Sequence, residues 1–374
     1  MKSIDTVGVI GFGVMGAAIA LNAASAGETV RFKELNDDLV KSMYDKWVTQ
    51  PLAKKVEKKK MSEAEARLIA GRIEGTSRYE DLDDCDLIIE AAVENFELKR
   101  RIFKDLSDVC RDDTIIVSNT STFPIGQLMK DISHPERTAG LHYFFPANIN
   151  RLVEVIRQKE TSDATFDALT AFSKKNGKIP ISVNDFPGFA INPVFIASYM
   201  VLNSFYGDTY NAATLDYISR LALGIRYGIM WVSNGSGLGT CYHAAVSMNE
   251  YLSNSDVGYP PVPEPLKIQF ESGKPWDIED GPLVEDAAVL NVVKDQLLGT
   301  VFTISTHLIE KGVVSVKDLE LGICTSLAWP KGPFTMMNDL GMDEAARLVK
   351  LAVEKRLFKM PDSFARGVPA AWRI

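Results

Sequence analysis

The chain begins with a short apolar run that enters a glycine-rich turn and then an alanine-rich stretch. The run covers Thr6 to Ile10, and the stretch extends over 17–26. This order predicts a strand, a tight turn and a helix, which together hold a dinucleotide pyrophosphate. The first glycine permits the turn, the second lets the backbone approach a phosphate, and the third lets helix and strand pack, while the helix N-terminus faces the anion. The predicted pyrophosphate-binding residues are Gly11, Gly13, Val14, Met15 and Gly16.

Three glycines at this spacing also occur in ordinary turns, so the residues that follow decide the interpretation. A second apolar segment, 28–32, leads to Glu34, which lies 18 residues after Gly16. A carboxylate at this place accepts hydrogen bonds from the ribose hydroxyls of NAD and repels the 2′-phosphate of NADP. The sequence therefore favours NAD. Arg31 and Lys33 leave an alternative open, because a neighbouring cation can accommodate that phosphate, although both can equally be solvated residues at a strand end.

Composition restricts the class of protein. The chain has 374 residues, of which 46% are hydrophobic, so it exceeds the length at which a single core usually stops growing. Its formal net charge of −8 argues against non-specific binding to nucleic acid or to an anionic membrane. The four cysteines are far apart and the histidines are not clustered, so we expect no disulfide framework and no metal site. We find no signal peptide and no run of about 18 apolar residues, and we therefore expect a cytoplasmic protein without a membrane partner.

Strand candidates alternate with helical segments up to Pro187. The strand candidates after the first are 28–32, 85–92, 114–117, 139–144, 152–156 and 179–183, and the clearest helices are 96–109 and 164–175. A polar, lysine-rich segment, 37–72, is also helical in pattern. Such alternation predicts a mostly parallel sheet, whereas the residues after Pro187 form long helical segments without convincing strands. We predict an α/β fold: a Rossmann-type, mostly parallel sheet domain, residues 1–186, followed by an all-helical region.

The helical region contains a degenerate duplication. At an offset of 104 residues, Leu215-Asp216 aligns with Leu319-Glu320, and three single residues align as well: Gly228 with Gly332, Asn234 with Asn338, and Gly237 with Gly341. Between the copies, segment 253–285 contains the proline-rich stretch 259–265, which is predicted to be a linker or a partly extended loop. We predict two related helical modules, 187–285 including this linker and 286–374.

Six segments share their order and spacing with a known family. They are GFGVMG (11–16), VENFELK (93–99), SNTS (118–121), LHYF (141–144), LVEV (152–155) and PGFAIN (187–192). In this arrangement the chain resembles the L-3-hydroxyacyl-CoA dehydrogenases, and KGPF (331–334) with GMD (341–343) resembles their C-terminal helical module. Two such modules are similar to the dehydrogenase half of the bifunctional fatty-acid oxidation enzymes, here without a hydratase domain.

The resemblance implies reversible, NAD-dependent oxidation of an (S)-3-hydroxyacyl-CoA to the 3-oxoacyl-CoA, in a cleft between the two parts. His142 would be the general base, because an unperturbed imidazole has a pKa of about 6.5. Glu154 would hold the imidazole in one tautomer and stabilise the imidazolium, and Ser121 and Asn192 would donate hydrogen bonds to the reacting oxygen. Without the resemblance, His142 and Glu154 would be interpreted as a core histidine and a strand-end carboxylate, Ser121 as a turn residue and Asn192 as a helix cap.

The resemblance also assigns charged residues to the cofactor and to coenzyme A. Glu94 and Lys99 match the family's cofactor-contacting pair on the nicotinamide side, and a surface salt pair at a helix start is the alternative. Lys54, Lys55 and the lysines at 58–60 fall where the family's helical excursion meets coenzyme A, whose phosphates attract cations. A solvated helix face is the alternative for these lysines.

Two residues depart from the family pattern. Phe145 stands where the family usually has an asparagine beside the catalytic histidine, and Pro193 stands where an arginine usually follows Asn192. Two alternatives therefore stay open: a dehydrogenase of an aromatic, alicyclic or dicarboxylic 3-hydroxyacyl-CoA or of a free 3-hydroxy acid, and a catalytically silent NAD-binding protein. Single-module relatives resemble dimers that pair through the helical region. We expect the two modules here to pair internally, and a homodimer through another surface stays open.

Overall fold

The chain divides into two compact units. The computed structural model describes residues 3–279, 283–284 and 286–374. Unit 1 is Met1–Asp185 and unit 2 is Phe186–Ile374. Sequence analysis placed this boundary after residue 186. The second predicted boundary, between 285 and 286, adjoins residue 285, which lies outside the described residues.

Unit 1 is built on one eight-stranded sheet in the order β3-β2-β1-β4-β5-β6-β7-β8. The strands are β1 (Thr6–Ile10), β2 (Thr29–Lys33), β3 (Ile73–Thr76), β4 (Leu87–Glu90), β5 (Ile115–Ser118), β6 (Thr138–Tyr143), β7 (Leu152–Arg157) and β8 (Ile179–Asn184). Only the β6–β7 pair is antiparallel among these strands. The central strands are almost wholly buried runs of Val, Ile and Leu, as expected for a sheet covered on both faces. The predicted fold class is confirmed.

Helices connect the strands of unit 1. They are α1 (Val14–Ala26), α2 (Asp37–Tyr44), a π-helical segment (Asp45–Thr49), α3 (Gln50–Glu57), α4 (Glu63–Ala70), α5 (Phe96–Val109), α6 (Ile125–Leu128) and α7 (Asp163–Lys175). Four alanines of α1, Ala17, Ala20, Ala23 and Ala24, are at most 1% exposed. Small side chains on this face let the helix pack close to the sheet.

One strand of unit 1 was missed by sequence analysis. Segment Ile73–Thr76 forms β3, which pairs in parallel with β2 at the edge of the sheet. Of its four residues only Ile73 is buried. A short edge strand with one buried residue lacks the apolar run that marked the other strands, so the pattern carried no strand signal here.

The described residues of unit 2 form helices and irregular connections, with no strand among them. Its helices are α8 (Ile191–Asn203), α9 (Ala212–Leu223), α10 (Ile229–Ser236), α11 (Leu238–Leu252), α12 (Glu264–Ser272), α13 (Ala287–Glu310), α14 (Val316–Ser326), α15 (Pro333–Leu340), α16 (Met342–Arg356) and α17 (Asp362–Ala365). The prediction of a linker or extended loop over 253–285 is wrong for Glu264–Ser272. Pro265 lies in the first turn of α12, where a backbone N–H has no partner within the helix, so this proline does not prevent helix formation.

Equivalent helices recur in unit 2 at the offset of 104 residues found in the sequence. Helices α9, α10 and α11 start at 212, 229 and 238, and α14, α15 and α16 start at 316, 333 and 342. The C-terminal half of α13 takes the place of α8, and these two helices pack against each other. The copies also share a helix-start contact, because Asp216 accepts the N–H of Trp231 at 2.8 Å and Glu320 accepts that of Phe334 at 2.8 Å.

A second shared contact uses an asparagine of each copy. Asn234 donates to the carbonyl of Trp276 at 2.9 Å and accepts its N–H at 2.8 Å. Asn338 makes the same two bonds with the backbone of Trp372, both at 2.9 Å. An amide side chain has one acceptor and one donor group, so it can satisfy both backbone groups of one residue at once.

Helix α13 is long and apolar enough to cross a membrane by length and composition, with a mean hydropathy of 1.3 over its best window. Sequence analysis expected no segment of that kind. The helix contains Lys294 and Asp295 near its start, and 56% of its most apolar 18-residue stretch is buried within the structure. It packs against α8, α9, α15 and α16, so its apolar residues form the core of unit 2.

Candidate functional site

The glycine-rich turn joins β1 to α1 with the geometry that a bound pyrophosphate requires. Gly11 has a φ of +86°, and a Cβ added to it would lie 2.9 Å from the carbonyl oxygen of Ala91. A Cβ added to Gly16 would lie 2.0 Å from the carbonyl oxygen of Gly11. A Cβ added to Gly13 would meet no atom within 4 Å. Two glycines are thus needed for packing, and the third leaves the backbone open toward the space where phosphates would approach.

Helix α1 begins directly at this open position. Gly13 is its N-cap, no side chain caps the helix, and its first turn contains no acidic residue. Val14 is 50% exposed, whereas Met15 is partly buried against the core of the sheet. An uncapped helix N-terminus without a nearby carboxylate is suited to an anion, because its N–H groups and dipole are both unsatisfied.

Glu34 lies beside the glycine-rich turn, just after the C-terminal end of β2. One carboxylate oxygen accepts the N–H of Phe12 at 2.7 Å, and the other accepts that of Leu35 at 3.3 Å. These bonds hold the carboxylate against the turn, at the place where a ribose would lie next to the pyrophosphate. The predicted position of Glu34 fits NAD.

The two cations near Glu34 have different partners. Arg31 forms an ion pair with Asp84 and donates to the carbonyl of Asp81 at 2.9 Å. The Lys33 ammonium donates to the carbonyl of Glu34 at 3.3 Å and lies 4.2 Å from the centre of the Tyr79 ring, and burial lowers the pKa of Lys33. Arg31 is thus directed away from Glu34, whereas Lys33 lies beside it.

Lys99 is buried between two carboxylates. Its ammonium lies 2.6 Å from Oε1 of Glu90 and 3.3 Å from Oε2 of Glu94. Lys99 is 1% exposed, and Glu90 is fully buried. The pair of Lys99 with Glu94 therefore joins a buried ammonium to a carboxylate whose side chain is 35% exposed, so only the Glu94 end fits the alternative of a surface salt pair. Sequence analysis missed Glu90, although its place at the end of the apolar run of β4 was a usable signal.

Glu94 connects this buried pair to the loop that carries Ser121. We name residues 119–124, between β5 and α6, the Ser121 loop. Oε1 of Glu94 accepts the hydroxyl of Thr120 at 2.6 Å and the N–H of Ser121 at 3.0 Å. Asn119 accepts the N–H of Tyr143 at 2.9 Å, which joins the same loop to β6. The backbone of Ser121 is thus held by a carboxylate from the β4–α5 connection.

His142 and Glu154 face each other on the antiparallel strands β6 and β7. Nδ1 of His142 lies 2.6 Å from Oε2 of Glu154. His142 is 4% exposed and Glu154 is fully buried. The Phe144 ring lies 4.5 Å from the imidazole, centre to centre. Sheet register, rather than sequence proximity, brings together two residues 12 positions apart, as the predicted dyad requires.

Asn192 lies in unit 2, as the second residue of α8, whereas the other predicted site residues lie in unit 1. Pro193 follows it in the first turn of the helix, and its carbonyl accepts the hydroxyl of Tyr259 at 3.1 Å. A proline is tolerated there because the first N–H groups of a helix have no intrahelical partner. The departure at position 193 therefore leaves α8 intact.

A pocket of about 430 Å³ lies within unit 1, between α1, the helical excursion and the segment after β6. Its lining includes Leu21, Trp47, Lys55 and Phe145. Phe145 is 50% exposed. Of the predicted coenzyme-A lysines, Lys55 thus lines a pocket, while the run 58–60 is solvent-exposed.

The cysteines show no sign of chemistry. All four are free thiols, and three of them, Cys85, Cys110 and Cys241, are buried. Burial raises the pKa of Cys85 and of Cys241 to about 12 and that of Cys110 to about 11. Such thiols are unreactive at neutral pH because the thiolate is the nucleophile. Within the described ranges, no group of three or more His, Cys, Asp or Glu side chains could hold a metal ion.

The turn, the acid after β2 and the mostly parallel sheet define unit 1 as the cofactor-binding domain of an NAD-dependent dehydrogenase. Residues 6–186 match the family model described as 3-hydroxyacyl-CoA dehydrogenase, NAD binding domain. The chain belongs to the 3-hydroxyacyl-CoA dehydrogenase family.

Relatives agree with this membership. The 3-hydroxybutyryl-CoA dehydrogenase of Bradyrhizobium diazoefficiens is 35% identical over 70% of this chain and 88% of its own length. The fatty acid oxidation complex subunit alpha of Idiomarina loihiensis is 34% identical over 66% of this chain, which spans about a third (34%) of that longer protein. A crystal structure of 3-hydroxybutyryl-CoA dehydrogenase from Escherichia coli K12 superposes with a TM-score of 0.83 over 98% of both chains at 18% identity, so it is similar in fold.

Proposed function

We propose that this chain catalyses the reversible, NAD-dependent oxidation of an (S)-3-hydroxyacyl-CoA to the 3-oxoacyl-CoA. The observation that carries the proposal is the buried pair in which Nδ1 of His142 lies 2.6 Å from a carboxylate oxygen of Glu154. Family membership supplies the reaction type. The dyad supplies what that reaction needs from the protein, which is a group that accepts and returns one proton.

Glu154 defines which nitrogen of His142 acts as the base. An ionised carboxylate can only accept hydrogen bonds, so Nδ1 must donate to it, and the lone pair then lies on Nε2. Nε2 takes the proton of the 3-hydroxyl group, and Glu154 stabilises the imidazolium that forms. The glycine-rich turn and Glu34 would hold NAD, which would supply the acceptor for the hydride that leaves the carbon carrying the hydroxyl. In the reverse direction the imidazolium returns its proton to the 3-oxo oxygen.

Ser121 and Asn192 are proposed to donate hydrogen bonds to the reacting oxygen, where negative charge develops. The support differs between them. The backbone N–H of Ser121 donates to Oε1 of Glu94 at 3.0 Å, which fixes the backbone position from which the hydroxyl extends. The role of Asn192 rests on the resemblance alone. The proposed NAD-contacting role of Glu94 and Lys99 also changes in detail, because Lys99 is 1% exposed and acts through Glu94 rather than directly.

The acyl group of the substrate is the least constrained part of the proposal. Phe145 replaces an amide with an exposed apolar ring that lines a pocket together with Trp47. The apolar rings favour an aromatic or alicyclic acyl-CoA, whereas Lys55 in the same lining is compatible with a dicarboxylic one, so both alternatives stay open. The catalytically silent alternative finds less support, because keeping a buried polar dyad without using it would cost folding free energy for no gain.

A substrate panel tests the proposal. Purified protein is mixed with NADH and, in turn, acetoacetyl-CoA, a longer straight-chain 3-oxoacyl-CoA, a 3-oxoacyl-CoA with a terminal phenyl ring, and free acetoacetate, and NADH absorbance is followed. We expect turnover with thioesters and none with the free acid. NADH binding without turnover of any compound would identify a silent protein, and turnover of the free acid alone would replace the thioester assignment.

We also infer a cytoplasmic enzyme whose two helical modules pair within one chain. Contact between the equivalent helices α8 and α13 supports the internal pairing, and the net charge of −8 supports the absence of nucleic-acid and membrane partners. Light scattering tests the pairing. A monomer, or a dimer that survives charge substitutions on the exposed faces of both modules, agrees with it, whereas an obligate dimer held through both modules contradicts it.

A further inference from the structure

The last residue of unit 1 holds the start of the short helix that follows the Ser121 loop. Asp185 comes directly after β8, and its carboxylate accepts two backbone N–H groups. Oδ1 accepts the N–H of Ile125 at 2.8 Å, and Oδ2 accepts that of Gly126 at 2.8 Å. Both bonds are short, and each uses a separate oxygen, so they fix the orientation of the carboxylate as well as its distance.

The Ser121 loop is therefore held at both ends by carboxylates from other elements. Glu94 accepts the N–H of Ser121 and the hydroxyl of Thr120 at its first end, and Asp185 holds Ile125 and Gly126 at its second end. Only three residues lie between Ser121 and Ile125. A shift at either end would therefore be transmitted to the Ser121 hydroxyl through a very short stretch of backbone.

Asp185 also has a structural role, because it satisfies two N–H groups at the start of α6 that have no partner within the helix. Burial raises the pKa of Asp185, and the two backbone hydrogen bonds oppose that rise. No Lys or Arg among the described residues forms an ion pair with it. The fit is also tight, because a Cβ added to Gly126 would lie 3.3 Å from Oδ2 of Asp185.

We propose that Asp185 is a positioning residue for the dehydrogenase reaction, which acts by fixing the Ser121 loop so that the Ser121 hydroxyl meets the reacting oxygen. The inference rests on the proposed function, because it assumes that Ser121 contacts that oxygen. Catalytic groups displaced by about 1 Å can lose on the order of a hundredfold in rate, so a residue that sets their position has a large effect without touching the substrate.

The test compares Asp185→Asn with a matched control, Glu310→Gln. Glu310 also accepts two backbone N–H groups at the start of a short helix, α17, through separate oxygens: that of Asp362 at 2.9 Å and that of Ser363 at 2.6 Å. Either substitution replaces one carboxylate oxygen by an NH2 group that cannot accept a hydrogen bond. We expect Asp185→Asn to lower kcat for acetoacetyl-CoA reduction by roughly tenfold to a hundredfold, with NADH affinity unchanged, and Glu310→Gln to leave kcat within about twofold.

A double-mutant cycle separates positioning from general damage. In a Ser121→Ala background, Asp185→Asn should lower kcat by less than about threefold, because the group it positions is already gone. Full additivity of the two substitutions would overturn the proposal. An equal loss of kcat in Glu310→Gln would overturn it too, because the loss would then reflect reduced stability of the fold rather than the position of Ser121.

Failure of the proposed function gives a different result. If Ser121→Ala alone leaves kcat unchanged, the assignment of Ser121 is wrong and the positioning proposal is overturned with it. If Ser121→Ala lowers kcat but Asp185→Asn does not, only the positioning proposal is overturned. Gly126→Ala provides a second variant, which keeps Asp185 but places a methyl group 3.3 Å from its Oδ2. This variant should lower kcat in the same way, again without changing NADH affinity.

Discussion

The two units of this protein use buried polar side chains for different purposes. In unit 1, charged groups gather around the C-terminal ends of the strands: Glu34 by the glycine-rich turn, Lys99 between Glu90 and Glu94, and Glu154 against His142. In unit 2, Asp216 and Glu320 hold helix starts, and Asn234 and Asn338 hold tryptophan backbones.

The difference teaches where to look for chemistry in such a chain. The contacts of unit 2 occur twice, at equivalent places in both copies, as contacts that stabilise a repeated module should. The contacts of unit 1 named above occur once, at the glycine-rich turn, beside the Ser121 loop and at the proposed base. A substitution at these residues of unit 1 should therefore change activity more than stability, and one at the named residues of unit 2 should do the reverse.

The strongest test of this contrast is His142→Ala. Loss of the proposed general base should lower kcat by on the order of a hundredfold or more, with NADH affinity retained. The measurement is NADH oxidation with the best thioester of the panel. His134→Ala is the matched control, because His134 also pairs with a carboxylate, Glu136 at 3.2 Å, but is half exposed. Turnover within a few-fold of the unsubstituted protein would remove His142 from the mechanism.

Glu34→Ala tests the cofactor end of unit 1. Loss of a charged acceptor for the ribose hydroxyls should weaken NADH binding by roughly tenfold and narrow the preference for NADH over NADPH. Fluorescence titration with both nucleotides measures the effect, and Glu160→Ala, in an exposed turn, serves as the control. An unchanged ratio of the two affinities would mean that another residue sets cofactor choice.

Asn338→Ala tests the opposite behaviour in unit 2. Removal of the two bonds to Trp372 should lower the free energy of unfolding by about 1–3 kcal/mol, because the backbone groups of that residue lose their partners. Urea denaturation measures this loss, and kcat of the folded protein should not change. Asn234→Ala in the other copy should behave alike. A kcat that falls with either substitution would show that unit 2 is not purely structural at these positions.

The smallest effect is expected from pH through His307. This histidine is buried in α13, and its Nε2 lies 3.0 Å from the carbonyl of Lys359. Burial lowers the pKa of His307, and the charge of Lys311 lowers it further. The nearby carboxylates of Glu310 and Asp256 oppose this change. The pKa of a histidine in the unfolded chain is about 6.5. Because folding lowers the pKa of His307, the free energy of unfolding is unaffected by this group above pH 6.5 and decreases as the pH falls below that value.

Urea denaturation of the full chain between pH 7.5 and pH 5 measures this dependence, with His307→Asn as the comparison. Asparagine occupies the equivalent position, 203, in the first copy. The substituted chain should lose stability less steeply on acidification. Identical slopes for the two proteins would show that other groups cause the pH dependence.

Much of unit 1 could be predicted from the sequence because its signals are local. The glycine-rich turn, the apolar strands and helix α5 follow from patterns within a few residues, and α5 has the predicted bounds Phe96–Val109. The place of Glu34 beside the turn was likewise predicted from its spacing of 18 residues after Gly16. Strand β3 could not be found this way, because its place depends on pairing with β2 rather than on its own composition.

The contacts that decide the site were harder to predict because they are long-range. The bonds from Asp185 to Ile125 and Gly126 span about 60 residues, and nothing near Asp185 in the sequence indicates its partners. Burial of Lys99 likewise depends on Glu90 and on the packing of α5. Helix α12 shows the converse problem, because a proline-rich context suggested a loop although Pro265 occupies a first turn.

The pairing of α8 with its counterpart in α13 has an evolutionary consequence. When two identical subunits meet across a twofold axis, every mutation at their interface occurs on both sides at once, so a residue that would suit only one side cannot be selected. Two copies within one polypeptide are free of that restriction. Their equivalent positions differ here, because one copy has the buried Asn203 and the other has the buried His307, and only the histidine can carry a proton.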